Sequence, residues 1–285
     1  MKPKMERPAK VRIDWGLKFF HDVLQLEALH FGYWEGISNN SDSGLNLETL
    51  KLAQKNYTKK LIEVIPKNVK TLLDVGAGTG EVAKELLARG YTVEAVSPDT
   101  YQYEICKSKC PQMPFHRTKF EKLDIKKSFD AILMLESCQY LKLDPAFKNC
   151  KKLLKENGHI LISDYFRKVK ENYYRTTHTL EDFYNAVKKN NFEIVYEKDI
   201  TEGVLPTLTL GKQFYLNYAV PVTKIITGYF SDKIPLLTKI LNFVFSPQLK
   251  KIKYYVYTHT PEKLDVDKFR KHIEYKIILL KNSIH

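Results

Sequence analysis

From residue 71 onward, apolar positions fall into two alternating rhythms. Short runs at Thr71–Val75, Thr92–Val96, 114–116, Phe129–Leu135, 158–163 and 192–198 read as strands. Between them, Glu81–Ala88, 101–107, 146–154 and 179–189 carry helical spacing. Thr179, with Glu181 and Asp182 behind it, reads as a helix cap. Phe129–Leu135 has almost no polar residue, as expected of a strand buried on both faces. Strands alternating with helices imply an α/β domain, a mostly parallel sheet with helices on both faces. Upstream, residues 11–65 read as helical, with Leu17, Phe20, Val23, Leu24, Leu26 and Leu29 at helix-like intervals. His30-Phe-Gly-Tyr-Trp-Glu-Gly36 interrupts that pattern, 38–44 is a polar loop, and 45–64 is a second helix stopped by Pro66. A last strand is expected at 275–280. Residues 200–272, mostly helical, are too long for a plain connection and read as a lid.

Length and composition narrow the class. The 285 residues are 44% hydrophobic, enough for one large core or a core with an elaborate lid. The formal net charge of +13 admits an anionic partner: nucleic acid, a phospholipid surface or an anionic substrate. The lysines are spread along the chain, which equally fits a Lys-rich source. Cys106, Cys110, Cys138 and Cys150 form no CxxC pair, and residues 1–10 are polar and charged rather than a secretory leader. The expectation is a cytoplasmic protein with free thiols and no metal. No apolar run reaches the ~18 residues of a membrane span.

The segment with the clearest chemistry is Leu72-Leu-Asp-Val-Gly-Ala-Gly-Thr-Gly80, at a strand end and opening a helix. Glycines let backbone approach a ligand closely, and the carboxyl edge of such a sheet is where ligands bind. A dinucleotide loop would need G-x-G-x-x-G; here Glu81 stands at the helix start, where it opposes a pyrophosphate and suits a cofactor without phosphate. Asp74 can accept from a cationic amino group or from the loop amides.

Asp-Val-Gly-Ala-Gly-Thr-Gly resembles motif I of the class I S-adenosylmethionine-dependent methyltransferases. The resemblance runs over most of 28–200, then over 275–281 as a final antiparallel strand. It implies a Rossmann-like seven-stranded sheet and S-adenosylmethionine as cofactor, with Asp74, Gly76, Ala77 and Gly78 lining its methionine end. The second strand of such proteins normally ends in an acidic residue. Ser97 stands there instead, with Gln102 five positions on, a departure that resembles the cyclopropane fatty acid synthase, sterol and natural-product branch and gives both residues the ribose. Lys119 and Phe120 fall where adenine is held, although Lys119 replaces the usual acidic acceptor. Leu135 and Glu136 would border the sulfonium. Tyr33, in His30-Phe-Gly-Tyr-Trp34, would close over the cofactor, or else simply pack. The segment 199–207 resembles the lead into a substrate cover. Tyr140, Tyr165, Phe214 and Tyr218 are the substrate-side candidates, the last two either lining an apolar pocket or packing the lid.

The implied reaction is in-line methyl transfer to a small, hydrophobic or lipid-like acceptor at carbon, oxygen or nitrogen, or methylene transfer to an alkene. Glu136 is the first candidate base, with His30, Asp164 and His178 behind it, but Glu136 could equally balance the sulfonium or serve a structural bond. Two rivals are a nucleic-acid methyltransferase, for which neither an Asn/Asp-Pro-Pro-Tyr nor a Pro-Cys motif is present, and an inactive S-adenosylmethionine-binding protein. The expected organisation is a helical cap (1–66), a cofactor-binding core (67–200), a substrate lid (201–272) and a last core strand (273–285).

Overall fold

The computed structural model describes residues 15–37, 44–170 and 173–283. The loop expected at 38–44, Gly44 apart, and the polar residues 1–10 lie outside the described residues.

The first described element is α1 (Trp15–Lys18), which continues as a single wide turn over Phe19–Val23. The helix expected through Leu29 ends there. Gln25 adopts a left-handed φ of 53°, and the chain runs irregularly to Trp34. The backbone of this stretch is satisfied by other elements. Gln54 donates to the carbonyls of Ala28 and His30, at 2.9 and 2.8 Å, and Tyr33 N–H donates to Ala53 O at 2.8 Å. Gln54 and Ala53 belong to α2 (Leu47–Val64), whose start is fixed by a reciprocal cap between Asn46 and Thr49.

The core then alternates as its sequence rhythm requires: β1 (Thr71–Val75), α3 (Glu81–Ala88), β2 (Thr92–Val96), α4 (Thr100–Lys109), β3 (Phe115–His116), β4 (Phe129–Leu135), α5 (Leu143–Leu153), β5 (Leu154–Arg167), α6 (Leu180–Lys189) and β6 (Phe192–Asp199). Thr179 caps α6, accepting from Asp182 N–H. The seven-stranded sheet has the order β3-β2-β1-β4-β5-β7-β6. Its last-made strand, β7 (Ile273–Asn282), lies antiparallel between β5 and β6. Apolar side chains leave the sheet on both faces. Leu72, Ala131 and Leu161 meet α2 and α3 on one side, while Leu73, Ile132 and Ile160 meet α5 and α6 on the other.

Between β6 and β7 lies the helical insertion: α7 (Thr201–Phe214), α8 (Val220–Lys233), α9 (Pro235–Val244), α10 (Ser246–Tyr254), α11 (Thr260–Lys263) and α12 (Val266–His272). Wide turns at Tyr215–Ala219 and Tyr255–His259 join α7 to α8 and α10 to α11. The two ends of the insertion differ. Val204, Leu205 and Leu208 of α7 and Phe269 of α12 are part of the core, whereas no described side chain in residues 221–259 is buried. Among the described residues, no helix is long and apolar enough to cross a membrane.

Candidate active site

An open parallel sheet leaves a crevice where the chain leaves neighbouring strands in opposite directions. Here that point lies between β1 and β4, because β1 leads on to β2 on one side and β4 to β5 on the other. A cavity of about 320 Å³ lies at this crevice, lined from below by Asp74, Gly76, Ala77 and Gly78 after β1 and by Leu135, Glu136, Ser137 and Tyr140 after β4. Gln102 of α4 and His30 complete its walls, and Gly16, Leu17 and Phe20 close it from the N-terminal side.

The two floor loops fit each other through glycine. Gly76 has φ +77°, and a Cβ there would come within 2.7 Å of Ser137 Cβ. Gly78 has φ +55° and faces open space, so a side chain there would fill the cavity. Glu136 occupies the left-handed region without being glycine, at φ 52°, its N–H donating to Ser163 O at 2.7 Å. Such conformations are held only where the surroundings enforce them, and they gather at functional sites.

Three buried polar atoms have no hydrogen-bond partner among the described residues: Asp74 Oδ2, Gln102 Oε1 and Ser137 Oγ. All three residues line this one cavity. Buried polar groups in native proteins are almost always satisfied, so orphans grouped around one hole mark a polar ligand. Burial alone pushes Asp74 up to about 7, a shift that a cationic group bound beside it would reverse.

Glu136 is the most elaborately held carboxyl. Phe31 N–H and Tyr275 Oη both donate to its Oε1 at 2.6 Å. Tyr275 Oη meets Tyr57 Oη at 2.9 Å, and Tyr57 donates to Ser163 Oγ at 2.6 Å. Burial raises Glu136 to about 7, and the two donors hold it below where burial alone would set it. Tyr57 and Tyr275 do not stand out in the sequence, because the network joins α2, β4, β5 and β7 across up to 218 residues.

The structure gathers only part of the expected set. Asp74, Gly76, Ala77, Gly78, Gln102, Leu135, Glu136 and Tyr140 line the cavity, as does His30. His30 Nδ1 lies 2.8 Å from Phe31 O and so must donate to it, leaving Nε2 to accept from Thr58 Oγ1 at 3.2 Å. Both ring nitrogens are thus engaged, and burial lowers the imidazole to about 4. Asp164 is fully buried and absent from the lining. It accepts from the N–H groups of Gln139 and Tyr165, and its position fixes the turn after β4 from behind. His178 is tied to the carbonyls of Cys138 and Leu141, bracing the same turn.

Tyr33 lies away from the cavity: its ring packs on Gly203 of α7, with the Lys60 ammonium 4.3 Å from the ring centre, and its hydroxyl donates to Glu35. Of the segment expected to close over the cofactor, His30 reaches the cavity and Tyr33 anchors the segment to α7. Ser97 Oγ is turned to its own loop, accepting from Asp99 N–H at 3.2 Å. Phe120 is buried in the core beneath α5, Lys119 is exposed, and neither lines the cavity. Tyr165 stands in an aromatic cluster with Phe31, Tyr174, Phe269 and Tyr275. Phe214 packs on Tyr218 along the insertion, 4.9 Å between ring centres, away from the cavity. Among the lining residues, Gly16, Leu17, Phe20, Ala28, Leu29 and Val82 were not expected at the site from the sequence. The spacing of Leu17 and Phe20 showed an apolar face without showing what it covers.

Sheet order, glycine loop and crevice together are those of a Rossmann-like, ligand-binding α/β fold. Residues 73–162 match the family model of a methyltransferase domain. An uncharacterised methyltransferase of Bacillus cytotoxicus is 28% identical over 127 residues, which cover 43% of this chain and 60% of that protein. One of Oceanobacillus iheyensis is 26% identical over 145 residues, covering 50% and 68%. The chain therefore spans less than two thirds of the length of the first of these relatives. Among solved structures, geranyl diphosphate C-methyltransferase from Streptomyces coelicolor superposes with a TM-score of 0.66 at 14% identity, over 93% of each chain. A [4+2]-cyclase, SpnF, superposes at 0.60 and 17% identity, over 90% of this chain and 88% of its own. Residues 73–162 are thus similar to a methyltransferase domain, and the chain shares the fold of these solved structures.

Proposed function

We propose that this protein moves a methyl group from S-adenosylmethionine to a small, apolar acceptor, with Glu136 as proton acceptor. The observation that carries this reading is the grouping of three orphaned polar atoms, on Asp74, Gln102 and Ser137, around one glycine-floored cavity. Asp74 would hold the cofactor's ammonium, Gln102 its ribose, and the backbone of residues 76–78 its amino-acid end. When bound, the cofactor supplies a methyl on a sulfonium, with a neutral thioether as leaving group. The chain's part is alignment, exclusion of water and handling of one proton. Glu136 borders the cavity with Tyr275 and Tyr57 behind it, a chain of hydroxyls that can spread the charge of the carboxylate or share an incoming proton. We read residues 1–66 as a cap, 67–200 and 273–285 as the core, and 201–272 as the cover from which an apolar acceptor enters.

Calorimetry with S-adenosylmethionine tests the cofactor site. The wild type binds, while Gly78→Val abolishes binding and Asp74→Asn weakens it about tenfold or more, the scale of a lost charged hydrogen bond. Failure of the wild type to bind ends the proposal. Incubation with isotope-labelled S-adenosylmethionine and a cell lipid extract tests transfer. Label in a small apolar product supports it, and label confined to RNA or DNA overturns the acceptor class. Binding without any transfer would place the chain beside the cyclase as a user of the fold for something else.

A further inference from the structure

The outer part of the insertion is a helical arm without a core of its own. From 221 to 259 no described side chain is buried. Its surface is nevertheless strongly apolar. On α8, Val222, Ile225, Tyr229 and Phe230 recur at helical spacing and are all more than half or about half exposed, Ile225 at 71%. On α9, Leu236, Ile240 and Phe243 form a second stripe at helical spacing, Phe243 at 86%. Single exposed apolar residues are ordinary, but exposed apolar stripes on two consecutive helices mark a docking surface.

Charge decides what docks there. The arm carries Lys224, Lys233, Lys239, Lys250, Lys251 and Lys253 against one acidic residue, Asp232. Among the described residues none of these lysines is held in a salt bridge, and all six are exposed. A second copy would bring an equal set of cations against them. An anionic bilayer answers both features: its headgroups pair with the lysines and its acyl boundary takes the Ile, Leu, Tyr and Phe side chains. Among the described residues no helix is long and apolar enough to cross, so these would lie in the interface.

We infer that the arm formed by α8, α9 and α10 seats the protein on an anionic membrane surface, with Ile225, Tyr229, Leu236 and Phe243 buried in the headgroup region. This reading is independent of methyl transfer, since it concerns an arm that does not line the cavity.

Co-sedimentation of the full-length protein with vesicles tests it. The wild type sediments with vesicles of phosphatidylcholine and phosphatidylglycerol in equal parts, far less with phosphatidylcholine alone, and added salt weakens the binding. Each lysine near such a surface is worth about five-fold in partitioning, so Lys250→Glu, Lys251→Glu and Lys253→Glu together lower it at least about a hundredfold. Ile225→Glu with Phe243→Glu removes it while leaving the circular dichroism and S-adenosylmethionine binding unchanged, because both side chains are exposed. The inference fails if the wild type stays in the supernatant with mixed vesicles, or if the Ile225/Phe243 variant sediments as the wild type does. It also fails if size exclusion shows a dimer that the Ile225/Phe243 substitutions dissociate, which would assign the stripe to a second copy.

Discussion

Glu136 combines three constraints that rarely coincide: a left-handed backbone, a buried carboxyl, and two donors on one oxygen. If it takes the acceptor's proton, it must be ionised, so the methyl-transfer rate rises with pH through about 7. Glu136→Gln lowers kcat by about 10²–10⁴-fold and flattens that limb, while the dissociation constant for S-adenosylmethionine changes little. Tyr275→Phe removes a donor that favours the ionised carboxyl, so the limb shifts to higher pH without losing its shape. A purely structural Tyr275 would leave the pH profile where it is. The glycine loop and Asp74 were legible in the sequence because a local stretch holds them and their backbone needs are residue-specific. Glu136 was legible only as a carboxylate after a buried strand. Its partners were not, because Phe31 lies 105 residues before it and Tyr275 139 residues after it.

At the level of elements, α7 is the piece that holds the cavity wall in place. Thr207 Oγ1 accepts from Gly32 N–H at 3.1 Å and from Trp34 Nε1 at 2.8 Å, and Trp34 N–H donates to Gly203 O at 2.8 Å. Gly203 has no room for a side chain, since a Cβ would enter the Tyr33 ring. Gly203→Ala is expected to cost about 1–3 kcal/mol through this overpacking, read as a lower urea midpoint at unchanged slope. A neutral result would mean that Tyr33 can move aside and that the 30–34 segment is looser than its bonds imply. The core elements followed from periodicity, since alternation and the 3.6-residue spacing report burial directly. The helix expected through Leu29 failed for a physical reason. Apolar spacing reports a buried face, whereas here the carbonyls of Ala28 and His30 are satisfied by Gln54, leaving the chain free to run extended under α2 and α7. Ser97 and Tyr33 stand where the resemblance implies cofactor contacts, yet their polar atoms are taken by Asp99 and Glu35.

For the molecule as a whole, the ionisable interior sets how stability depends on pH. Burial raises Asp74 and Glu136 to about 7 and Asp164 to about 8. The folded chain therefore holds protons that the unfolded chain has already released, and stability falls as pH rises from about 4 to about 8. His30 opposes this below its ordinary 6.5, because its folded form resists protonation until about 4. Above 6.5 that opposition is spent. The urea midpoint should then decline between about pH 6.5 and 8, and Asp164→Asn should flatten the upper part of the decline. A midpoint that rises over this range would contradict the assignment of buried, protonated carboxyls.

The wall that closes the cavity is also its door. Thr79, in the glycine loop, donates to the carbonyl of Glu27, and Tyr101 on α4 donates to Asp22 and lies 3.0 Å from His21. With Leu17 and Phe20 in the lining, a spent nucleoside thioether would, on the proposed function, have to wait for these ties to break before it could be replaced. Turnover would then be paced by unlatching rather than by chemistry. Tyr101→Phe, which cuts the latch without touching the cavity lining, should speed escape of S-adenosylhomocysteine in a stopped-flow chase. An unchanged escape rate would show that the thioether leaves by another route.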